Sequence, residues 1–210
     1  VRPVLEQVDA LSRKGLWCVG YVRYEAAPAF DAALQVHAAE GPLVWFGVHA
    51  QPLADADVAL PTAPEPHVQW TPRISRDVFD ANMARIHASI AAGDFYQLNY
   101  TAQLEAPFAS VEGSALAYFA ALRRSQPRGY GAFIDTGEEQ VLSVSPELFF
   151  DWDGTRILGR PMKGTAARGA NPQEDAANAE RLRSTPKEQA ENVMIVDLIR
   201  NDLSRVAEPF

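Results

Sequence analysis

The sequence predicts an α+β fold of antiparallel sheets with helices on the outside. Three observations carry that expectation. YGAFID (130–135) and QVLSVS (140–145) flank the turn residues TGEE, and ELFFDW (147–152) and TRILGR (155–160) flank Asp153-Gly154, a strong hairpin dipeptide. Three other segments carry a helical period or helix-end signals. Strands and helices do not alternate in the strict βαβ manner that a parallel sheet requires.

The elements follow in chain order. LWCVGYVRY (16–24) is rich in β-formers and reads as a strand, and PLVWFGVH (42–49) as a second. Between them DAALQVHAA (31–39) has the composition of a short helix. Residues 51–73 are rich in Pro, Ala and Asp without a period, so a surface loop is expected. Ser75 then caps a helix whose Phe79, Met83, Ile86 and Ile90 share one face, and Gly93 ends it. A strand is expected from about Phe95 to Leu104, and a helix from about Ser114 to Arg124, closed by Pro127. After the two hairpins, PMKGTAARGANPQED (161–175) reads as a loop. The last helix opens with Thr185, Pro186 and Glu188, the pattern of a capping box with proline in the first helical position. The chain divides into residues 1–73, strands plus a variable loop, and 74–210, the core that holds the motifs.

Composition narrows the function. The chain is 47% apolar and 22% charged, with a formal net charge of −8, which fits a globular protein and not a disordered one. The acidic balance argues against a nucleic-acid surface, which needs clustered Lys and Arg. The lone cysteine, Cys18, permits no intrachain disulfide and no cysteine-based metal site, and the four histidines show no ligand spacing. No apolar run reaches the length of a membrane span, and the first residues lack a signal-peptide core, so the cytoplasm is the expected compartment.

Several residues carry chemistry. Lys163 follows a strand and precedes Gly164, which lets a ligand approach the backbone, and Thr165, which offers a hydroxyl. A lysine so placed suits a nucleophile, although an exposed loop lysine is the commoner reading of the residue type. Glu147 opens a strand beside Phe149 and Phe150, a setting for a general acid or simply for a polar strand edge. The hairpin at Asp153-Gly154 folds Glu147 back toward Lys163. Glu188 and Glu191 share one helix face near the N-terminus; two carboxylates suit Mg²⁺, and a plain capping box with a solvated first turn is the simpler alternative. Asp197, Arg200, Asn201 and Asp202 interrupt an apolar helix and read as a hydrogen-bond network. Gln97 and Asn99 share one side of their expected strand, lining a pocket or bonding across the sheet.

Taken together, YVRYEAAPAF (21–30), GDFYQLNYTAQL (93–104), SVSPELFF (143–150), GRPMKGTAARG (159–169) and PKEQAENVMIVDLIRNDLSRV (186–206) resemble the chorismate-utilising enzymes, and within them the aminodeoxychorismate-forming branch. The resemblance implies two antiparallel sheets with outer helices and an active site between them. It implies Mg²⁺ at the ring carboxylate of chorismate, with Glu191 a direct ligand and Glu188 its water-mediated companion. It makes Glu147 the acid that helps the C4 hydroxyl leave, and Gly164 and Thr165 part of the substrate site. Lys163 is the discriminator, because this branch has a lysine there that attacks C2, whereas anthranilate and isochorismate synthases usually have alanine. Gln97 stands where isochorismate and salicylate synthases carry a water-activating lysine, and an amide has no titratable group. Ammonia is implied to come from a glutamine amidotransferase partner. Ala166 departs from the arginine that often follows the Gly-Thr pair. The family's catalytic domain extends well beyond this length, so the chain is expected to hold an incomplete site. The alternatives left open are anthranilate synthase and an inactive structural or partner-binding domain.

Overall fold

The computed structural model describes residues 1–54, 59–61, 68–107 and 114–208. The chain forms two compact units, Val1–Pro61 and Thr62–Phe210.

In the first unit, helix α1 (Arg2–Ser12) precedes strand β1 (Trp17–Val22), a 3-10 turn (Tyr24–Ala29) and strand β2 (Val44–His49). The two strands pair antiparallel, with Trp17 opposite His49 and Val22 opposite Val44. Tyr21 and Trp45 face each other in that register and their rings stack at 6.4 Å. The helix expected over 31–39 does not form. Asp31 accepts the Ala33 amide on its side chain and the Leu34 amide on its carbonyl, and the turn stops there. Most of the segment is exposed, so no packed apolar face offsets the cost of helix nucleation.

The second unit contains strand β3 (Thr71–Pro72), helix α2 (Arg76–Ala92), strand β4 (Leu104–Glu105), helix α3 (Ala115–Ser125), strands β5 (Tyr130–Asp135), β6 (Gln140–Ser145), β7 (Leu148–Trp152) and β8 (Ile157–Arg160), and helices α4 (Pro172–Ser184) and α5 (Pro186–Leu203). Each strand pairs antiparallel with one other, β3 with β4, β5 with β6 and β7 with β8. Ser75 and Ser114 accept the Val78 and Ala117 amides and start α2 and α3 as their sequence positions predict.

Two expectations are corrected. The strand over Phe95–Leu104 shrinks to Leu104–Glu105. Its described partner is Thr71–Pro72, and Pro72 has no amide to extend the ladder. Tyr100 instead packs against α2, its ring edge-on to Phe79 at 5.7 Å and its hydroxyl accepting from Asn82. The loop expected over 161–175 ends early, because α4 starts at Pro172.

The core is thin. Ala115, Ala117, Phe119, Ala120 and Ala121 of α3 are buried together with Ile134 of β5, and the Phe119 and Phe133 rings lie 5.8 Å apart. Small residues on α3 let it sit close on the β5–β6 hairpin. Helix α5 uses Ile199 and Leu203 against the backbone of Gly159 in β8. Its Val193, Met194, Val196 and Leu198 remain exposed. Among the described residues, no helix is long and apolar enough to cross a membrane.

Carboxylates close both hairpins. Asp135 accepts from Gln140 and from the Gly137 amide. Asp153 accepts from the Arg156 and Thr155 amides. These bonds hold both carboxyls below the ordinary aspartate range, through the Gln140 side chain first for Asp135 and the Arg156 amide first for Asp153. The unfolded chain therefore takes up these protons at a higher pH than the folded one, and the stabilisation is complete above about pH 4 and fades as pH falls through the folded values. Thermal melts between pH 7 and pH 2 are expected to show the midpoint falling below about pH 4, with a smaller fall in the Asp153→Ala variant. An identical acid dependence in both would contradict this role.

Candidate active site

The β7–β8 hairpin builds the first half of the site. Asp153-Gly154 turns the chain so that Leu148 lies opposite Arg160. Glu147, just before β7, thus meets the segment leaving β8, and its Oε1 accepts the Met162 amide at 3.0 Å. Ser145 braces the turn at Pro146 by accepting the Glu147 amide and donating to the Glu147 carbonyl. Lys163 follows directly. It is half-buried, and among the described residues its ammonium has no hydrogen-bond or ion-pair partner. The apolar enclosure expected around Glu147 is absent, since Glu147 is exposed and Phe149 is 87% exposed. Phe149 and Phe150 pack edge-on against each other at 5.1 Å.

Helix α5 builds the second half. Gly164 adopts φ +68°, which disfavours any side chain, and a Cβ there would lie 2.1 Å from Glu188 Oε2 and push that carboxylate aside. Glu188 thereby lies against the loop one residue past Lys163. Its Oε2 is buried and, among the described residues, has no hydrogen-bond partner, an arrangement that costs on the order of 1–3 kcal/mol or more for a charged group. Glu191 follows one turn along, 3.7 Å from Lys187.

The capping box expected at Thr185 is not formed. Helix α4 ends one residue before α5 begins, so Thr185 terminates one helix and precedes the other. Its amide and its hydroxyl both donate to the Arg181 carbonyl, and the Thr185 side chain caps nothing in α5. The side-chain cap belongs to α4 instead, as a variant in which the third-residue carboxylate reaches the amide before the cap. Asn171 accepts the Glu174 amide, and Glu174 reaches back to the Ala170 amide. Glu188 is therefore free of the duty its sequence position predicts.

Beyond Gly164 the loop runs onto the first turns of α4. Asp175 takes Arg168 in a two-pronged bond, 2.7 Å on each oxygen, and also accepts the Gly169 amide at 2.9 Å. Arg168 first and the Gly169 amide second hold this carboxyl below the usual range. Asn178 donates to the Ala167 carbonyl. Sequence reasoning missed α4 and its carboxylates; the signal was Asn171-Pro172 followed by Glu174, the same pattern sought one helix later.

Thr165 is exposed, and Gln97 lies exposed between α2 and β4. No hydrogen bond or ion pair joins either to Glu147, Lys163 or Glu188. The network at Asp197, Arg200, Asn201 and Asp202 reduces to an exposed Arg200–Asp197 pair. An open apolar cleft of about 600 Å³, lined by Trp70, Tyr118, Leu122 and Leu142 among others, contains none of the predicted site residues. Among the described residues no three His, Cys, Asp or Glu side chains converge on one point. The structure thus joins an unpaired amine, an exposed carboxylate and a buried carboxylate oxygen through one short loop.

Residues 2–210 match the family described as chorismate binding enzyme. The chain belongs to that family. Aminodeoxychorismate synthase component 1 of Klebsiella aerogenes is 38% identical over 167 residues, 80% of this chain and 35% of that protein. Aminodeoxychorismate synthase of Streptomyces griseus is 47% identical over 57% of this chain and 16% of its own length. Anthranilate synthase component 1 of Thermus thermophilus is 40% identical over 63% of this chain and 28% of its own. The chain thus spans about a third or less of the curated relatives it matches. The crystal structure of anthranilate synthase component I from Streptococcus pneumoniae superposes with a TM-score of 0.72 at 22% identity, over 92% of this chain and 51% of that one. That likeness shows the fold, α+β with antiparallel strands, as the hairpin pattern predicts.

The Gly164–Glu188 contact is testable in the intact protein. Gly164→Ala is expected to lower stability by about 1–3 kcal/mol, because it adds both backbone strain and overlap. Gly164→Ala combined with Glu188→Ala should recover part of that loss in denaturant melts. Simple additivity of the two changes would refute the contact.

Proposed function

We propose that the chain carries part of the active site of an aminodeoxychorismate synthase component 1, which converts chorismate and ammonia to 4-amino-4-deoxychorismate. The observation that supports this most is the loop amine of Lys163, one residue from the amide held by Glu147. An amine with no partner among the described residues is available to a substrate carbon, and a carboxylic acid beside it is available to a leaving oxygen.

The reaction runs in two displacements. The unprotonated amine of Lys163 adds to C2 of chorismate, the ring double bond shifts, and the C4–O bond breaks. Glu147, entering as the acid, gives its proton to the departing hydroxyl, which leaves as water, and the proton lost by the new ammonium at C2 restores the Glu147 acid. Ammonia then adds at C4, the double bond shifts back, the C2–N bond breaks, and a proton from the new C4 ammonium passes to the leaving nitrogen, which returns the neutral Lys163 amine. The enolpyruvyl group is retained, so pyruvate release falls to a separate lyase on the route to p-aminobenzoate and folate. Gly164 and Thr165 line the substrate beside the amine. Gln97 is an amide without a titratable group and does not activate water.

Glu188 and Glu191 fit a Mg²⁺ ion. A hard cation prefers carboxylate oxygens and keeps several waters, and the buried Glu188 Oε2 has no hydrogen-bond partner among the described residues. Held by Glu188 and Glu191, such an ion would supply positive charge to the substrate's carboxylate. Glu191 lies 3.7 Å from Lys187 and would exchange that contact for the ion. The name component 1, borne by relatives of this chain, accords with a second subunit, which we assign as a glutamine amidotransferase that delivers ammonia. The single cysteine accords with a reducing cytoplasm.

The intact enzyme, given chorismate, Mg²⁺ and ammonia, should form 4-amino-4-deoxychorismate without pyruvate. Mass spectrometry of the trapped protein should find a Lys163 adduct that Lys163→Ala abolishes, with turnover lowered at least about a hundredfold. Anthranilate and pyruvate formed without an added lyase would assign the chain to the anthranilate synthases instead.

A further inference from the structure

We propose that Asp175 is a positioning residue for Lys163, fastening the downstream end of the loop that carries the nucleophile; this rests on the function proposed above. Residues 161–170 have no regular secondary structure, so their backbone must be fixed by something other than a helix or sheet ladder. At the upstream end the Met162 amide is held by Glu147. At the downstream end Asp175 makes three bonds, to Arg168 Nε and Nη2 and to the Gly169 amide. Asn178 adds a fourth attachment at the Ala167 carbonyl, and Glu174 a fifth at the Ala170 amide.

The contact is too close to be incidental. A Cβ at Gly169 would lie 2.1 Å from the Asp175 amide nitrogen, so the loop backbone lies directly on the first turn of α4. The Arg168 side chain is 88% exposed and that of Asp175 31% exposed. Burial therefore does not force the pair together, and its two-pronged geometry sets the orientation. Asp175 is the one carboxylate in this turn that binds both a side chain and the main chain of the loop. Residues 163–166 span the gap between the two fastenings, and Lys163 stands next to the upstream one.

Geometry of this kind acts on the rate more than on affinity. A reacting amine displaced by about 1 Å loses on the order of a hundredfold in rate, because a near-attack arrangement is lost. The Arg168 guanidinium is already engaged by Asp175 at Nε and Nη2, so the pair is assigned to the loop and not to the substrate. A loosened loop should therefore lower kcat and leave KM for chorismate nearly unchanged.

The test uses the intact enzyme with chorismate, Mg²⁺ and ammonia. Asp175→Ala is expected to lower kcat by at least about tenfold with KM changed less than about threefold. It should slow formation of the Lys163 adduct in proportion and speed hydrogen exchange at the Gly169 and Ala170 amides. Asp175→Asn keeps an acceptor for the Gly169 amide and should fall between wild type and Asp175→Ala. Arg168→Ala removes the fork from the loop side and reports the same effect should Asp175→Ala not fold. Asp80→Ala, which breaks the exposed Arg76–Asp80 pair on α2, should leave kcat unaltered.

Wild-type enzyme that forms aminodeoxychorismate, with Asp175→Ala and Arg168→Ala equal to it in kcat per folded molecule, would overturn the positioning role alone. Loss of activity that merely tracks loss of folded protein would do the same. Wild-type enzyme that forms no aminodeoxychorismate would overturn the proposed function, and this inference with it.

Discussion

Glu147 accepts the Met162 amide, and that hydrogen bond ties the entrance of one strand to the exit of its partner. The hairpin turned by Asp153 and Gly154 makes the bond possible. Lys163 comes next in the chain and is carried wherever Met162 is held. Gly164 then turns with positive φ and lets the loop press against Glu188. A carboxylate before a strand, an amine after one and a carboxylate on a helix are thus drawn together by local geometry, without a large buried core behind them.

The junction of α4 and α5 has an electrostatic consequence. Thr185 ends α4, so the reciprocal cap that Glu188 would ordinarily complete has no partner. The N-terminal dipole of α5 favours a negative charge there, and Glu188 and Glu191 both lie in the opening turns. One of these carboxylate oxygens is buried without a donor among the described residues. A site that keeps such an atom bears a cost, which a bound cation would offset.

Much of this was legible in the sequence, for identifiable reasons. Asp153-Gly154 and TGEE announce hairpins because tight turns need those residue types. Ser75 and Ser114 announce helix starts because a hydroxyl satisfies amides that the helix leaves open. The pairing of Glu147 with the region of Lys163 follows from the hairpin alone. The failures are equally physical. Residues 95–104 have strand composition, but composition supplies no hydrogen-bond partner, and Pro72 stops the ladder that was available. Residues 31–39 have helix composition without a face to bury. Thr185 and Glu188 have the spacing of a capping box, yet the preceding helix takes the threonine first, and α4 itself was hidden behind a polar, uneven pattern. Asp175 carried no signal of its own, because its importance lies in which loop residues reach it.

A crystal structure of the intact protein with chorismate and Mg²⁺ tests the central claim most directly. The expected result places the Lys163 amine against C2 and the Glu147 carboxyl against the C4 hydroxyl of one ring, with Glu188 and Glu191 on the side of its carboxylate. A ring bound elsewhere, with Lys163 directed into solvent and Glu188 still without a partner, would contradict it.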